Sequence, residues 1–244
     1  MKIGILGSGS MGGTLARHLA ARGHQVSIAN SRGPGSLAAL AAETGATPVS
    51  VAQAARAGEI VILAIPTKAV AALPRELFAD VPSRVVVVDI GNYHPELRDG
   101  RIEAIDRGLL DSQWVAQQIG RPVIKAFNNI LAQSLLEKGA PKGARGRIAL
   151  PVAGDAPEGK AAVLRLVDEL GFDPVDAGML DESWKQQPAT PVYGTDFDAQ
   201  GVRRALDAAS PERPPQFRAA GAPPAPARAS SNGSGTEPPR PAAP

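Results

Sequence analysis

The sequence contains no cysteine among its 244 residues. This absence excludes disulfides, thiolate nucleophiles and zinc–thiolate centres. Histidine is almost as scarce, since His18, His24 and His94 are the only imidazoles. Three scattered histidines do not favour a metal site, and we predict none.

Long apolar runs are also missing. The longest uninterrupted one, residues 60–66, is much shorter than the roughly 20 residues that a membrane span needs. Met1 is followed directly by a strand-like segment and not by a basic and apolar leader. We therefore expect a cytoplasmic protein with no membrane partner.

Charge of one sign is not concentrated anywhere in residues 1–209, although the isoelectric point is about 9.1. The small basic excess of the chain comes from residues 210–244, which carry four arginines and two glutamates. The dispersed Lys and Arg residues before them do not form the basic stripe that phosphate-backbone binding requires. We expect no nucleic-acid partner.

Residues 210–244 contain ten prolines, eight alanines and a single aromatic residue. A segment of this composition cannot bury enough apolar surface to offset the entropy lost on ordering. We predict a disordered tail that contributes nothing to the core, so a chain ending at Ala209 should keep its melting temperature. Docking of the tail on a partner is the alternative.

Residues 1–209 alternate short apolar runs with segments of helical period. The apolar runs are nearly continuous in Val, Ile and Leu, as in a parallel sheet covered by helices on both faces. The sequence therefore predicts a doubly wound α/β fold. The predicted strands of its sheet are 2–6, 25–29, 46–49, 59–64, 84–89 and 122–125, with helices at 10–22, 35–43, 52–57 and 68–78.

The turn after the first predicted strand has the pattern G-x-G-x-x-G and leads into a helix. In this context the first glycine makes a tight turn, the second lets the backbone approach a pyrophosphate, and the third lets helix and strand pack closely. The pyrophosphate would lie at the helix N-terminus, which favours an anion. We predict a dinucleotide site formed by Gly7, Ser8, Gly9, Ser10, Met11 and Gly12.

The residues after the second predicted strand determine which dinucleotide is bound. An NAD site usually has a carboxylate there, whereas this chain has Asn30, Ser31 and Arg32. Ser31 and Arg32 can donate hydrogen bonds to a 2′-phosphate, which a carboxylate would repel. We predict that the cofactor is NADP.

The ends of the later strands supply further candidate cofactor-binding residues, since ligands of open α/β sheets lie at the carboxyl ends of strands. For Asn92 and Asn128, a role as ligand or backbone anchor and a role as ordinary turn asparagines both stay open. The candidate residues are Ala64, Ile65, Pro66, Asn92, Ala126 and Asn128.

Acid–base groups are few near these strand ends. Tyr93, His94 and Lys125 are the ones present, and they form no recognised catalytic constellation. We expect structural roles for Lys125, since a lysine at a strand end can reach solvent without touching substrate, and for His94, with acid–base work as the alternative for His94. We name no catalytic residue. Phe127 and Trp184 could stack on a planar acceptor or belong to the core.

Several of these motifs together resemble the coenzyme F420-dependent NADP oxidoreductase family. The similar segments are the glycine-rich turn, 30–34, 62–66, 125–129, 183–188 and 191–194, within a resemblance that covers roughly residues 1–205. The resemblance implies a Rossmann domain with a small C-terminal segment. It also implies hydride transfer directly between the nicotinamide and a deazaflavin.

We therefore expect an NADP-binding Rossmann domain at 1–125, a small α/β cap at 126–206 and a disordered tail at 210–244. The expected function is an oxidoreductase that transfers hydride between NADP(H) and a planar acceptor such as coenzyme F420 or a flavin. An NADPH-dependent carbonyl or imine reductase and a non-catalytic NADP sensor are the alternatives. A homodimer is a further expectation.

Overall fold

The computed structural model describes residues 1–221. The strands of its main sheet are β1 (Lys2–Leu6), β2 (Gln25–Ala29), β3 (Thr47–Pro48), β4 (Ile60–Leu63), β5 (Val86–Asp89) and β6 (Ile124–Lys125). They are all parallel, in the order β3-β2-β1-β4-β5-β6. This is the strand order of the Rossmann fold, and it confirms the predicted doubly wound sheet.

Helices connect these strands, and further helices follow β6. The α-helices are α1 (Ser10–Ala21), α2 (Ala38–Thr44), α3 (Val51–Ala55), α4 (Thr67–Val70), α5 (Glu103–Asp106), α6 (Asp111–Ile119), α7 (Ala132–Glu137), α8 (Pro157–Glu169) and α9 (Ala199–Asp207). Shorter turns are a π-helical turn at Pro95–Asp99 and 3-10 turns at Pro34–Leu37, Leu180–Gln186 and Pro215–Phe217.

Each face of the main sheet is covered by its own apolar layer, because successive residues of a strand point to opposite faces. Ile60 and Ile62 of β4 pack in one layer, which also contains Leu15 of α1. Val61 of the same strand packs in the other layer with Trp114 of α6. Burial on both faces explains why the strands read as unbroken apolar runs.

The predicted helix at 68–78 is wrong in length. Helix α4 ends at Val70, and a series of turns follows it. Pro74 has no backbone N–H and restricts the residue before it, so the helix cannot continue through this position. The sequence pattern also did not predict helices α5 and α6, which lie between β5 and β6.

A second, smaller sheet contains β7 (Ala149–Val152) and β8 (Asp173–Asp176), paired in parallel. It joins β6 through an antiparallel bridge, in which the N–H groups of Lys125 and Ala153 each donate to the other's carbonyl at 2.8 and 3.0 Å. Leu150 and Phe172 share an apolar layer with the main sheet. The division of the chain at residue 125 stays a prediction, since this core spans both sheets.

Most of the predicted tail, residues 222–244, lies outside the described residues. Residues 210–221 depart from the expectation for a disordered tail, because they lie against the body. Arg213 pairs with Asp111 at 2.6 Å, and Ala219 is only 7% exposed. Composition predicts only how much apolar surface a segment can bury. The contact of residues 210–221 with the body depends instead on one arginine and on backbone N–H groups, which composition does not predict.

Candidate functional site

The parallel register of the main sheet brings the candidate segments to one edge. Leu6 is the register partner of both Ala29 and Leu63, and Asp89 is the partner of Leu63 and of Lys125. These five residues end their strands, so the loops that follow them lie side by side. The predicted convergence of strand ends is therefore present in the fold.

The glycine-rich turn between β1 and α1 has the geometry of a phosphate cradle. Gly7 has a φ of +115°, and a Cβ there would collide with the carbonyl oxygen of Ala64. A Cβ on Gly12 would collide with the carbonyl oxygen of Gly7, whereas one on Gly9 would meet nothing within 4 Å. Gly7 and Gly12 thus close the turn, and Gly9 leaves open space at the start of α1 for a ligand.

Asn30 connects this turn to the loop after β2. Its Nδ2 donates to Ser8 Oγ at 3.2 Å and to Ser36 Oγ at 3.0 Å, and its Oδ1 accepts from the N–H of Arg32 at 3.0 Å. Asn30 therefore acts as an anchor of the loop. The side chains of Ser31 and Arg32 are exposed at the edge of the site, where they are able to receive a charged group.

A cavity of about 400 Å³ extends from the start of α1 across the ends of β4, β5 and β6. Its lining is largely apolar, and among residues 1–221 it includes no Asp or Glu. The lining residues are Gly9, Ser10, Met11, Ala64, Ile65, Pro66, Ile90, Gly91, Asn92, His94, Arg98, Phe127, Asn128, Ile130, Leu131, Ala132 and Tyr193.

The cavity brings together eight of the predicted cofactor-binding residues, all of which are in that lining. Gly7, Gly12 and Ala126 lie beneath its surface, and Ser8, Asn30, Ser31 and Arg32 form the separate edge beside it. Ala126 is fully buried, and its N–H donates to the Asp89 carbonyl at 3.3 Å. Its side chain therefore contributes to packing.

Asn92 and Asn128 lie in the cavity wall and hold each other in place. Asn92 Nδ2 donates to the carbonyl of Asn128 at 2.8 Å, and Asn128 Nδ2 donates to Asn92 Oδ1 at 2.9 Å. Asn128 Nδ2 also donates to the carbonyl of Gln186 at 2.7 Å, and Gln186 Nε2 returns a bond to Asn128 Oδ1 at 3.0 Å. These bonds make both asparagines anchors of the backbone, and a role of either as a cofactor ligand stays a prediction.

Lys125 holds structural contacts but does not reach solvent, as a strand-end lysine can. Its side chain is 0% exposed, and its Nζ lies 3.0 Å from Asp89 Oδ2 and also donates to the Gly91 carbonyl. Tyr93 is buried as well, with its hydroxyl bonded to Asp106 Oδ1 at 3.2 Å and to the N–H of Ile102 at 3.0 Å. Neither residue lines the cavity, so both support the loop after β5 from below.

His94, Arg98 and Tyr193 supply polar side chains at the far end of the cavity. Burial, followed by the charge of Arg98, lowers the pKa of His94, although Asp99 and Asp111 act in the opposite direction. The His94 ring is therefore neutral at pH 7, and its buried Nδ1 has no hydrogen-bond partner. Burial also raises the pKa of Tyr193, which stays protonated.

Arg98 and Tyr193 were not among the residues that the sequence predicted for the site. Arg98 lies in the π-helical turn that follows the end of β5, nine residues beyond Asp89, on the edge of the sheet where the strand-end rule places ligands. Tyr193 reaches the cavity through long-range folding, since the N–H of Gly194 donates to the Asn129 carbonyl at 2.7 Å. Phe127 lines the cavity, whereas Trp184 lines a separate, smaller one beside Arg213.

Of the helices within residues 1–221, none combines the length and the apolar character needed to cross a membrane. Over this range, no three His, Asp or Glu side chains come together in a group that could hold a metal ion.

The strand order, the glycine turn and the cavity at the strand ends define a protein with an NAD(P)-binding Rossmann fold. The sequence model for the family described as "NADP oxidoreductase coenzyme F420-dependent" matches residues 2–93. The hypothetical protein SMa0349 of Sinorhizobium meliloti is 30% identical, with a TM-score of 0.69 over 81% of this chain and 95% of that one. The chain belongs to the coenzyme F420-dependent NADP oxidoreductase family.

Two further relatives differ in sequence identity to this chain and in the length over which they match it. The curated protein YjhV of Escherichia coli (strain K12) is 42% identical over 86 residues, which are 35% of this chain and 56% of that protein. The match thus spans little more than half of that relative. A candidate F420-dependent NADP-reductase of Arthrobacter sp. FB24 is 24% identical, with a TM-score of 0.61 over 75% of this chain and 87% of that one. This second likeness concerns the fold.

Proposed function

We propose that the protein is an NADPH-dependent oxidoreductase that transfers hydride to a planar acceptor such as coenzyme F420 or a flavin. The observation that carries the proposal is the continuous cavity from the glycine turn to Tyr193. One end of it is suited to the nicotinamide half of a dinucleotide, and the rest leaves room for a second ring. Accessible apolar side chains such as Ile65 and Leu131 suit a flat aromatic surface, whereas Phe127 is fully buried in the core beside them.

The residues of the chain fit NADP. The N–H groups at the start of α1 and the open space beside Gly9 would hold the diphosphate. Ser31 and Arg32 would hold the 2′-phosphate, since no carboxylate stands at positions 30–32. NADPH supplies the hydride when bound. The contribution of the chain is to position both rings and to exclude water between them.

Ring-to-ring transfer also agrees with the state of the acid–base groups. Lys125 is held in a buried ion pair, and the Tyr93 hydroxyl is bonded to Asp106 and Ile102. Neither side chain reaches the cavity, so neither is placed to protonate a substrate there. A transfer between two rings needs no such group, because the electrons are delocalised within the acceptor.

The experiment that tests the proposal is a panel of acceptors with the purified full chain. NADPH oxidation would be followed by absorbance with coenzyme F420, FMN, FAD, a ferric chelate and small carbonyl and imine compounds. We expect turnover with one or more ring acceptors and tighter binding of NADPH than of NADH. Binding of NADPH without turnover of any acceptor would leave the sensor module as the better explanation.

One observation favours a second candidate, an NADPH-dependent carbonyl or imine reductase. The Tyr193 hydroxyl and the neutral His94 ring both line the cavity. The hydroxyl could donate a proton to a developing alkoxide or to an imine nitrogen, and the imidazole could hold the reacting group by a hydrogen bond. His94→Gln and Tyr193→Phe test this directly. If either lowers turnover by the roughly 10²- to 10⁴-fold typical of a general acid while NADPH still binds, the reductase is the better assignment. A cytoplasmic location and a homodimer stay predictions.

A further inference from the structure

The segment that follows β5 and ends with the π-helical turn forms the far wall of the cavity. This segment, residues 91–99, is named the wall loop, and it carries Asn92, His94 and Arg98. Its inner side is fixed by the bonds of Asn92 to Asn128 and of Lys125 to Gly91. Its outer side is covered by residues 210–221, which are separated from it by more than a hundred positions in the sequence.

Arg213 is the central contact of this covering segment. Its Nη2 donates to Asp111 Oδ1 at 2.6 Å and to Gln187 Oε1 at 2.9 Å. The other carboxylate oxygen of Asp111 accepts the N–H of Tyr93, in the wall loop, at 3.1 Å. The guanidinium also lies 5.4 Å from the centre of the Tyr93 ring, within cation–π range. Arg213 thus holds Tyr93 both through Asp111 and by direct contact.

Two further contacts lie along the same side of the wall loop. The ring of Phe217 lies 6.0 Å from the ring of His94, centre to centre. The N–H of Ala220 donates to Glu96 Oε1 at 2.9 Å. Arg213 and Phe217 do not appear among the described residues that line the cavity. Their contacts are therefore with the back of the wall, and not with its ligand side.

The Arg213–Asp111 pair is buried at its acidic end. The Asp111 side chain is 1% exposed, so its charge depends on the arginine and on the Tyr93 N–H for compensation. Burial, the largest single effect, raises the pKa of Asp111, but the charges of Arg213 and Lys125 and the hydrogen bonds from Arg213 and the Tyr93 N–H together outweigh it. The pKa of Asp111 therefore lies below its ordinary value. The carboxylate therefore stays charged at neutral pH, and the pair persists.

We propose that Arg213 is a positioning residue for acceptor binding, because it holds Tyr93 and Asp111 and thereby sets the place of His94 and Arg98 in the cavity wall. The kinetic part of this inference rests on the proposed oxidoreductase function. Arg213 touches neither end of the glycine turn, so its removal should disturb the acceptor half of the site and leave nucleotide binding intact.

The kinetic test compares Arg213→Ala and Arg213→Lys with Glu212→Ala, a matched change at an exposed neighbour in the same segment. We expect Arg213→Ala to raise the acceptor KM by about tenfold or more, as a shift of binding groups by around an ångström would do. The Kd for NADPH and the kcat should change far less. The lysine variant keeps the charge and should recover part of the loss, and Glu212→Ala should behave as the parent protein.

A second measurement needs no acceptor and separates this inference from the proposed function. Hydrogen exchange of the backbone N–H groups at 91–99 should speed up in Arg213→Ala, relative to Glu212→Ala, with helix α1 unchanged. Phe217→Ala, a milder change at the same surface, should act in the same direction and covers the case in which the arginine variant does not fold. Unchanged exchange and unchanged acceptor KM would overturn the inference. Faster exchange in a protein that turns over no acceptor would keep Arg213 as the residue that holds the wall loop, and would overturn the proposed function together with the kinetic part of the inference.

Discussion

Lys125 and Asp89 are register partners on adjacent parallel strands, and their side chains form an ion pair of 3.0 Å with almost no access to solvent. The Asp89 carboxylate also accepts hydrogen bonds from the Ser112 hydroxyl at 2.7 Å and from the Gly91 N–H at 2.9 Å. Lys125 in turn donates to the Gly91 carbonyl. The pair therefore fixes both the N–H and the carbonyl of Gly91, the residue at which the wall of the cavity begins.

Lys125→Met should destabilise the fold more than it impairs the chemistry. Removing one partner of a buried ion pair leaves an uncompensated charge, which costs roughly 3 to 5 kcal/mol. Urea denaturation should show this loss. The double variant Lys125→Met with Asp89→Asn should recover part of it, and Lys68→Met, at an exposed lysine, should change little. An equally stable Lys125→Met protein would show that the pair contributes nothing.

Gly9→Ala and Gly12→Ala should separate nucleotide binding from folding. A Cβ at Gly9 meets nothing within 4 Å and the backbone there is extended, so that variant should keep its melting temperature. It should nevertheless bind NADPH about tenfold or more weakly, because the Cβ occupies the space where the phosphates approach. Gly12→Ala places its Cβ against the Gly7 carbonyl and should lower the melting temperature itself. Equal NADPH affinity in Gly9→Ala and the parent protein would contradict this use of the turn.

Arg32→Ala should reduce the preference for NADPH. Hydrogen bonds to a charged group contribute roughly 1.5 to 3 kcal/mol, so the Kd for NADPH should rise about tenfold to 150-fold. The Kd for NADH should stay nearly the same, since NADH has no 2′-phosphate. Titration calorimetry with both nucleotides measures this, and Arg75→Ala, at an exposed arginine elsewhere, is the control. Equal affinity of the parent protein for NADPH and NADH would refute the proposal that Ser31 and Arg32 bind the 2′-phosphate.

A chain ending at Ala209 should melt lower than a chain ending at Gly221. This reverses the expectation from composition, because the shorter chain leaves the buried Asp111 carboxylate without Arg213. A loss of about 3 kcal/mol corresponds to roughly 6 to 12 °C for a chain of this size. Both chains should keep NADPH binding. If the two melting temperatures agree within a degree or two, residues 210–221 do not contribute to the folded body.

His94 should make the fold less stable in weak acid. Its pKa is lowered in the folded protein, so between that value and about 6.5 the unfolded chain binds the proton more readily. Stability should therefore be fully present above pH 6.5 and should fall as the pH drops below it. Urea denaturation at pH 5.5 and 7.5 should show a smaller decrease for His94→Gln than for the parent protein. The pKa of His18 is lowered as well, but His18 is present in both the parent protein and His94→Gln. Its contribution to the pH dependence therefore cancels when the two are compared.

The sequence predicted the parts of the site that depend on local pattern. Gly7, Gly9 and Gly12 follow a fixed spacing between a strand and a helix, and the convergence of the strand ends follows from a parallel sheet. Helix α4 was predicted too long because its apolar residues continue beyond Pro74 as buried turns. Val70, Leu77 and Phe78 all belong to the same apolar layer, although only the first is helical.

Contacts between distant segments could not be predicted in this way. Lys125 has the same residue type whether it reaches solvent or pairs with Asp89, and only the register of β5 and β6 decides between the two. Arg213 lies in a segment whose composition is typical of disorder, and its role depends on one buried carboxylate 102 residues earlier. A single sequence records neither partnership.

The separation of Asp111 and Arg213 also affects how the protein is made. At roughly 5 to 20 residues per second, a ribosome adds Arg213 about 5 to 20 seconds after Asp111. All six strands of the main sheet are synthesised before that arginine. The nucleotide half of the molecule can therefore assemble on the growing chain, while the opposite wall receives its last support only near the end of translation.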